Sequence, residues 1–335
     1  MKSPRLFLAA ALAMAVIVAV ALIPVPADAA KTIKLHHLNK DDPFDNATGA
    51  MATVFKSLVE AGTNGAIEVQ TFPNGQLGKD NDVVAQVKSG VIQSGIHSVG
   101  GFASAYPMMG VIDVPFAFPN ISATYAVFDG PFGAKFAADI EKKTGLKVLG
   151  FGDSGGFFHF TNSKRPITSP EDMKGLKIRT MGLDTHKAVV SSLGGQPAAI
   201  AWTEVYTALQ TGVADGQMNP VPIIAFAKFN EVQKYLTLSR HVYSALVFVA
   251  NKAFIDGLPA AERKMVMDCA RSASLQGRSH IRDNEAKQIA ELKAAGMQVE
   301  DKPDLAAFRK ATAPVIETAS GDTKKLVEQI QQTVK

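Results

Sequence analysis

The chain has 335 residues, a formal net charge of +4 at pH 7 and a single cysteine. A positive excess this small and dispersed does not indicate a nucleic-acid partner, and one cysteine cannot form an internal disulfide. We expect Cys269 to be a small apolar residue of a helix rather than a nucleophile. The length suffices for two domains of ordinary size.

Residues 1–29 have the features of a secretory signal peptide. Two basic residues and an unbroken apolar run over 6–23 precede two prolines and the small-x-small pattern Ala27-Asp28-Ala29. We predict cleavage near Ala29 or Ala30 and a mature protein that is free in the periplasm. An uncleaved membrane anchor is the alternative, because the apolar run is about long enough to span a bilayer.

After residue 30, strand-like and helix-like segments alternate, which favours an α/β fold. Apolar or alternating segments predict strands, and apolar residues at helical spacing predict helices. The predicted strands are 32–38, 66–72, 146–151, 157–162, 176–180, 241–250 and 297–300, and the predicted helices include 46–61 and 80–89, the latter ended by Gly90.

One helical pattern is unusually long. It opens at Pro259 and continues to Ala295, with only Gly277 as an interruption. At about 1.5 Å per residue this helix would be about 50 Å long, whereas a domain of half this chain is only about 30 Å across. We therefore expect the helix to run across two domains, with a kink near Gly277 as the alternative.

No linker rich in Pro, Gly or Ser separates the halves of the chain, so we expect the two domains to exchange strands and to enclose a cleft. The predicted fold is an α/β architecture of two domains with a cleft between them. The expected division places residues 30–155 and 245–284 in the first domain and residues 156–244 and 285–335 in the second.

Residues 152–156 (GDSGG) match the nucleophile motif of trypsin-like serine proteases. Those enzymes need a His and an Asp on two β-barrels, usually with disulfides, so a Gly-rich turn that matches by chance is the better interpretation.

The histidines lack metal-ligand spacing, and adjacent His36 and His37 should face opposite sides of a strand. We expect no catalytic activity, no metal and no cofactor; a hydrolase that uses Ser154 is a minor alternative.

Arg179 is the best candidate for a binding residue. It lies in the short strand segment 176–180, on which Lys177 and Arg179 share one face. A guanidinium at the end of a strand in a cleft can hold a carboxylate or sulfonate with two parallel hydrogen bonds. A solvated surface arginine is the alternative that spacing alone leaves open.

Several motifs, in one order along nearly the whole mature chain, resemble those of the solute-binding proteins of tripartite (TRAP) transporters, the dicarboxylate-binding-protein-like family. The matching stretches are FPNGQLG at 72–78, NSKRPI at 162–167, PEDMKGLKIR at 170–179, EVYTALQTG at 204–212, DGQMNP at 215–220 and FNEVQKY at 229–235.

This resemblance implies the two-domain periplasmic-binding-protein fold, with a hinge and a ligand cleft between two α/β domains. Such a protein closes on a small organic acid and docks on a small and a large membrane permease subunit. We expect it to be a monomer. It implies that Arg179 pairs with the carboxylate of the ligand and that Asn219 contacts the same group. The aromatic that precedes the Glu-Val-Tyr motif packs on the ligand in this family, which here indicates Trp202, with a place in the core as the alternative. An ABC-type binding protein and a ligand-sensing relative are the alternatives.

His159 stands where the sialic-acid branch of the family has a second arginine, which argues against sialic acid as the ligand. In the first domain, the strand ends that line the family's cleft carry His37, His97 and Ser98, with His36 as the alternative to His37. The sequence leaves the ligand open among keto or hydroxy acids, dicarboxylates, aromatic acids and sulfonates.

Overall fold

The computed structural model of the chain describes residues 30–317 and 321–333, apart from the side chains of 280–283. The predicted signal peptide, 1–29, lies outside the described residues. Within the described ranges, no helix combines the length and the apolar character needed to cross a bilayer.

Eleven strands form two separate β-sheets in the described part of the chain. The strands are β1 (Lys31–His36), β2 (Ile67–Phe72), β3 (Ser94–Ser98), β4 (Leu146–Phe157), β5 (His159–Asn162), β6 (Lys177–Thr180), β7 (Gln196–Ala199), β8 (Gly216–Asn219), β9 (Tyr235–Thr237), β10 (Tyr243–Asn251) and β11 (Gln298–Glu300).

The first sheet has the order β2-β1-β3-β10-β4, and we call it and its helices lobe I. Strands β1, β2 and β3 are parallel, whereas β10 lies antiparallel between β3 and β4. The second sheet has the order β11-β9-β5-β8-β6-β7 and forms lobe II. Each sheet therefore includes strands from distant parts of the chain, as expected for two α/β domains that exchange strands.

Helices cover both sheets. They are α1 (Ala47–Gly62), α2 (Asp80–Ser89), α3 (Val99–Phe102), α4 (Ile121–Asp129), α5 (Pro131–Thr144), α6 (Asp184–Ser192), α7 (Val205–Gln210), α8 (Val221–Phe226), α9 (Lys252–Gly257), α10 (Ala260–Ala294), α11 (Leu305–Glu317) and α12 (Gly321–Thr333). Short 3₁₀ turns lie at Pro107–Val111, Pro170–Met173, Trp202–Glu204 and Phe229–Glu231.

Local signals explain where several helices start and stop. Asn46 caps α1, because its side chain accepts a hydrogen bond from the Gly49 N–H at 2.7 Å. Gly90 ends α2 with a φ of 84°, a left-handed conformation that glycine adopts without strain. The predicted end of that helix is confirmed.

The long helix α10 is continuous over 35 residues and does not break at Gly277. Its first half packs in the core of lobe I through Cys269 and Ala273, and its second half packs in lobe II through Leu292. The prediction of one helix shared by both domains is confirmed. Cys269 is buried in an apolar core, as expected.

Two neighbouring segments carry the chain between the lobes and hold each other by hydrogen bonds. The Phe158 N–H donates to the Val242 carbonyl at 2.7 Å, and the His241 N–H donates to the Phe158 carbonyl at 3.3 Å. Both segments connect the sheets directly, so we regard them as the hinge.

The last helix departs from the expected division of the chain. Val327 and Ile330 of α12 lie in the core of lobe I, whereas the sequence analysis assigned 285–335 to the second domain. The apolar face of α12 lies against the 3₁₀ turn Pro107–Val111 and α4. The chain therefore returns to lobe I at its end.

Candidate functional site

A cavity of about 640 Å³ lies between the two lobes and is lined by both. Strand ends and helix starts of lobe I and of lobe II face each other across it. The polar and charged residues of its lining are Asn39, Thr48, Lys79, Asp80, Asn81, Ser98, Ser104, Asp113, Ser154, Arg179, Asp184, Thr185, Thr203, Asn219 and Ser244. A volume of this size suits a small molecule.

Arg179 of β6 is a buried cation in the wall of this cavity. Its side chain is only 3% exposed, and its Nε–H donates to the Ile200 carbonyl at 2.9 Å. Among the described residues, no carboxylate lies within ion-pairing distance, and burial alone lowers the pKa of the guanidinium to about 10. The remaining N–H groups can therefore receive an anion from the cavity.

The other charged residues of the lining each have a partner of opposite charge or a hydrogen-bonded histidine. Lys79 of lobe I pairs with Glu204 of lobe II at 2.8 Å across the mouth of the cavity. Asp184 pairs with Lys187 at 3.0 Å on the surface of α6. Two pairs, at Asp113 and at Asp80, are buried.

Asp113 of lobe I and His186 of lobe II meet across the interface between the lobes. The distance from Asp113 Oδ2 to His186 Nε2 is 2.7 Å, and both side chains are fully buried. Burial raises the pKa of the Asp113 carboxyl, although the histidine opposes this shift. Together with Lys79 and Glu204, this pair joins the lobes on the rim and in the wall of the cavity.

Asn219, at the end of β8, is held by a chain of buried side-chain hydrogen bonds. Asn219 Nδ2 donates to Gln217 Oε1, Gln217 Nε2 donates to Thr161 at 2.9 Å, and Thr161 donates to Gln233 at 3.0 Å. This series of hydrogen bonds fixes the rotamer of Asn219 at the cavity wall, because each side-chain amide in the series donates to one particular acceptor.

Trp202 serves both as a wall of the cavity and as part of a core. It lines the cavity, and its ring lies 6.0 Å from that of Phe226 and 5.9 Å from that of Phe229. The sequence left core and cleft as alternatives for this tryptophan, and it occupies the boundary between them. Because two aromatic rings pack against the indole of Trp202, the indole offers a rigid apolar surface to a ligand.

Ser98 lines the cavity at the end of β3 and is positioned by Asp80. Both the N–H and the hydroxyl of Ser98 donate to Asp80 Oδ2, at 3.0 and 2.8 Å, and the serine oxygen caps α3 by accepting from the Gly101 N–H at 3.1 Å. Asp80 Oδ1 lies 2.8 Å from His97 Nδ1. His97 thus sits behind the wall and orients Asp80, rather than lining the cavity.

One group of the described residues has metal-ligating atoms close enough together to hold a metal ion. It consists of His36, Asp80 and His97, whose ligand atoms lie within 4.8 Å of one another. The distance between His97 and Asp80 is that of a hydrogen bond, and His36 Nε2 lies 3.9 Å from Asp80 Oδ1. Asp80, His97 and Ser98 thus form a buried hydrogen-bonded network, and the ring of His36 packs against that of His97 beside it.

Two of the predicted site histidines do not line the cavity. His159 is buried in β5 with Nε2 facing Glu285 of α10 at 3.8 Å, and its Nδ1 accepts from the Arg240 N–H at 3.3 Å. His37 is buried with Nε2 3.7 Å from Asp41. His159, His37 and His97 were predicted to contact the ligand, but none of them lines the cavity, because each faces groups of its own lobe.

The GDSGG segment is part of strand β4 and not the turn that we expected. Asp153 Oδ1 accepts hydrogen bonds from the Gly155 and Gly156 N–H groups, and the hydroxyl of Ser154 is hydrogen bonded to that of Ser244. Among the described residues, no histidine or carboxylate accepts a hydrogen bond from Ser154. A serine with this surrounding lacks the base that a nucleophile needs.

The sequence analysis missed several lining residues: Asp80, Asp113, Asn39 and Ser244. Asp80 was visible only as the start of a helix, and Asp113 only as one acid in an apolar stretch. A buried acid in such a stretch is the signal that could have identified Asp113, because carboxylates are almost never buried without a partner.

Two lobes with a cavity between them, and a buried cation without a counter-charge among the described residues in its wall, are typical of a solute-binding protein. The family model described as bacterial extracellular solute-binding protein, family 7, matches residues 40–322. The chain belongs to this family, and the predicted TRAP affiliation is confirmed. Proteins of this family serve in transport and are not enzymes, as the sequence predicted.

Known proteins resemble the chain over most of its length. A solute-binding protein of Verminephrobacter eiseniae is 41% identical over 80% of this chain and 79% of its own. A TRAP periplasmic solute-binding protein of Polaromonas sp. JS666, bound to D-erythronate, has a TM-score of 0.85 at 35% identity, over 90% of this chain and 98% of its own. One of Shewanella oneidensis, bound to succinate, has a TM-score of 0.86 at 28% identity, over 92% and 100%.

Proposed function

We propose that this protein captures a small organic acid in the periplasm and delivers it to the small and large permease subunits of a TRAP transporter. The proposal includes cleavage of the signal peptide at about residue 29. Similar proteins with bound D-erythronate and succinate support an organic acid as the ligand.

One observation carries the proposed binding mode, namely a guanidinium that is buried in the cavity wall without a counter-charge from the described residues. Burying a cation is costly unless an anion meets it. A carboxylate that accepts two hydrogen bonds from Arg179 supplies that anion. In the proposed arrangement Asn219 donates to the same carboxylate, and Trp202 covers the apolar part of the ligand.

Capture then depends on the two lobes. The ligand binds the closed arrangement better than an open one, because only the closed arrangement surrounds it with both walls, and binding shifts the population toward closure. The closed form is the one that the permease subunits would recognise.

The experiment starts with a thermal-shift screen of organic acids, followed by calorimetry with the best ligand. Arg179→Ala should weaken binding at least about 30-fold, and Arg179→Lys should lose most of the same affinity because an ammonium cannot form the two-pronged contact. Arg271→Ala, at an exposed position of α10, is the matched control and should bind as the unaltered protein does. Unchanged affinity in Arg179→Ala would refute the binding mode.

Delivery needs a separate measurement. Uptake of the ligand into proteoliposomes that contain the two permease subunits should require this protein, and Arg179→Ala should not support it at ligand concentrations that saturate the unaltered protein.

A further inference from the structure

The charges in the cavity wall distinguish between classes of organic acid. Of the five ionisable lining residues, only Arg179 lacks a partner of opposite charge or a hydrogen-bonded histidine among the described residues. The other lining cation, Lys79, is half exposed at the mouth and is already paired with Glu204 at 2.8 Å. The wall therefore offers one free positive charge.

A second carboxylate on the ligand would meet no further cation inside the cavity. The wall of lobe I presents the acid Asp113, and His186, 2.7 Å from that acid, does not itself line the cavity. Asp80 is likewise shared with a histidine. A buried second carboxylate would thus lose its hydration without gaining a counter-charge, which is strongly unfavourable.

Hydroxyl groups, in contrast, have many partners in the same wall. Ser154 and Ser244 place two hydroxyls side by side, and Asn39 and Thr48, which also line the cavity, are hydrogen bonded to each other at 3.1 Å. Hydroxyls both donate and accept, so they match serine and threonine hydroxyls as well as the carboxylates of Asp80 and Asp113, which accept only.

We propose that the cleft selects acids with a single carboxylate and several hydroxyl groups, and that it rejects acids with a second carboxylate. This inference rests on the proposed function, because Arg179 must hold the first carboxylate. The cavity volume of about 640 Å³ leaves room for a hydroxylated chain behind that group.

The test compares acids that differ in one group only. D-Erythronate and meso-tartrate share carbon number and two hydroxyls, and differ in a terminal CH₂OH against a carboxylate; D-galactonate and galactarate form the same pair with six carbons. Calorimetry on the unaltered protein should give at least about 100-fold tighter binding of the monoacid in at least one pair. Succinate, which has two carboxylates and no hydroxyl, should bind as weakly as the diacids.

Asp113→Asn provides a second test. The asparagine amide carries no negative charge and can donate hydrogen bonds where the carboxylate only repels, so a second carboxylate on the ligand becomes less unfavourable and the preference for the monoacid should fall at least about fivefold. Because the preference is a ratio within one protein, a general loss of affinity in the variant does not affect it. The comparison on the unaltered protein stands if the variant does not fold.

The outcomes separate the two proposals. Binding of the monoacid at least about 100-fold tighter in one pair or in both supports the inference. A smaller preference in both pairs, or succinate binding as tightly as the monoacids, overturns it while the proposed function stands. Binding of no organic acid in the panel overturns both.

Discussion

Lys79 and Glu204 form an ion pair of 2.8 Å that connects lobe I to lobe II across the mouth of the cavity. Both side chains are about half exposed, so solvent and salt screen their attraction. A contact of this kind adds little to the stability of the fold. Its position on the rim makes it a contact of the closed arrangement.

Lys79→Gln should therefore speed up release of the ligand and should weaken binding by less than about tenfold, with a smaller effect at high salt. Stopped-flow release measured at low and high salt tests this. The matched control is Lys264→Gln, which breaks an exposed pair with Asp268 inside α10 and joins no lobes. If Lys79→Gln releases the ligand no faster than Lys264→Gln does, the pair of Lys79 and Glu204 has no role in closure of the lobes.

Gln217 should control the orientation of Asn219. Gln217→Met removes the acceptor for the Asn219 amide and leaves the Thr161 hydroxyl without its donor, within a buried network. We expect ligand affinity to fall about tenfold, on the scale of one lost hydrogen bond to a charged group. Gln298→Met, at an exposed position of β11, is the control. Unchanged affinity in Gln217→Met would show that Asn219 does not need this support.

His36 should make the stability depend on pH in the acidic range. Its burial lowers its pKa from 6.5 to about 4, with a further contribution from nearby His97. The unfolded chain therefore binds a proton between these pH values that the folded chain does not, and stability present above pH 6.5 is lost as the pH falls toward 4. The contribution is about 3 kcal/mol.

Chemical unfolding of the unaltered protein and of His36→Gln from pH 7.5 to 4 tests this expectation. The free energy of unfolding should fall less steeply in the variant, although His159 and His241, whose pKa values burial also lowers, remain in both proteins. Parallel pH profiles for the two proteins would contradict it.

Gly277 permits the close approach of α10 to α1. A Cβ at this position would lie 2.7 Å from Met51 Cγ, which is inside the core and cannot move freely. Gly277→Ala should destabilise the protein by about 1–3 kcal/mol despite the better helix propensity of alanine. In a protein that already carries Met51→Ala, Gly277→Ala should lower the free energy of unfolding by less than it does in the unaltered protein.

Gly257→Ala, where a Cβ would meet nothing within 4 Å, is the control and should be neutral or slightly stabilising. Thermal or chemical unfolding measures all four variants. If Gly277→Ala stabilises the protein, the close approach does not limit packing there.

The parts of the fold that could be predicted are those set by long or local patterns. The helix α10 has 35 residues in the structure, and its length alone required two domains. The place of Arg179 in the cleft was predicted from its position in a short strand together with the family motif around it, and Arg179 does line the cavity. Both predictions depend on residues that are adjacent in sequence.

The parts that could not be predicted depend on distant residues. His97 turned out to orient Asp80, 17 positions earlier, instead of facing a ligand. The direction of His159 is set by Glu285 on the far end of α10. The segment at Asp153 looked like a turn because it is rich in glycine, yet pairing with β10 holds it as a strand.

Because α10 contributes Ala273 to one core and Leu292 to the other, neither half of the molecule is complete by itself. Unfolding of either half would expose apolar surface of the shared helix and so destabilise the other half. Denaturation should therefore proceed in a single cooperative transition rather than in two. For the same reason, a fragment cut to contain just one half would not make an independent folding unit.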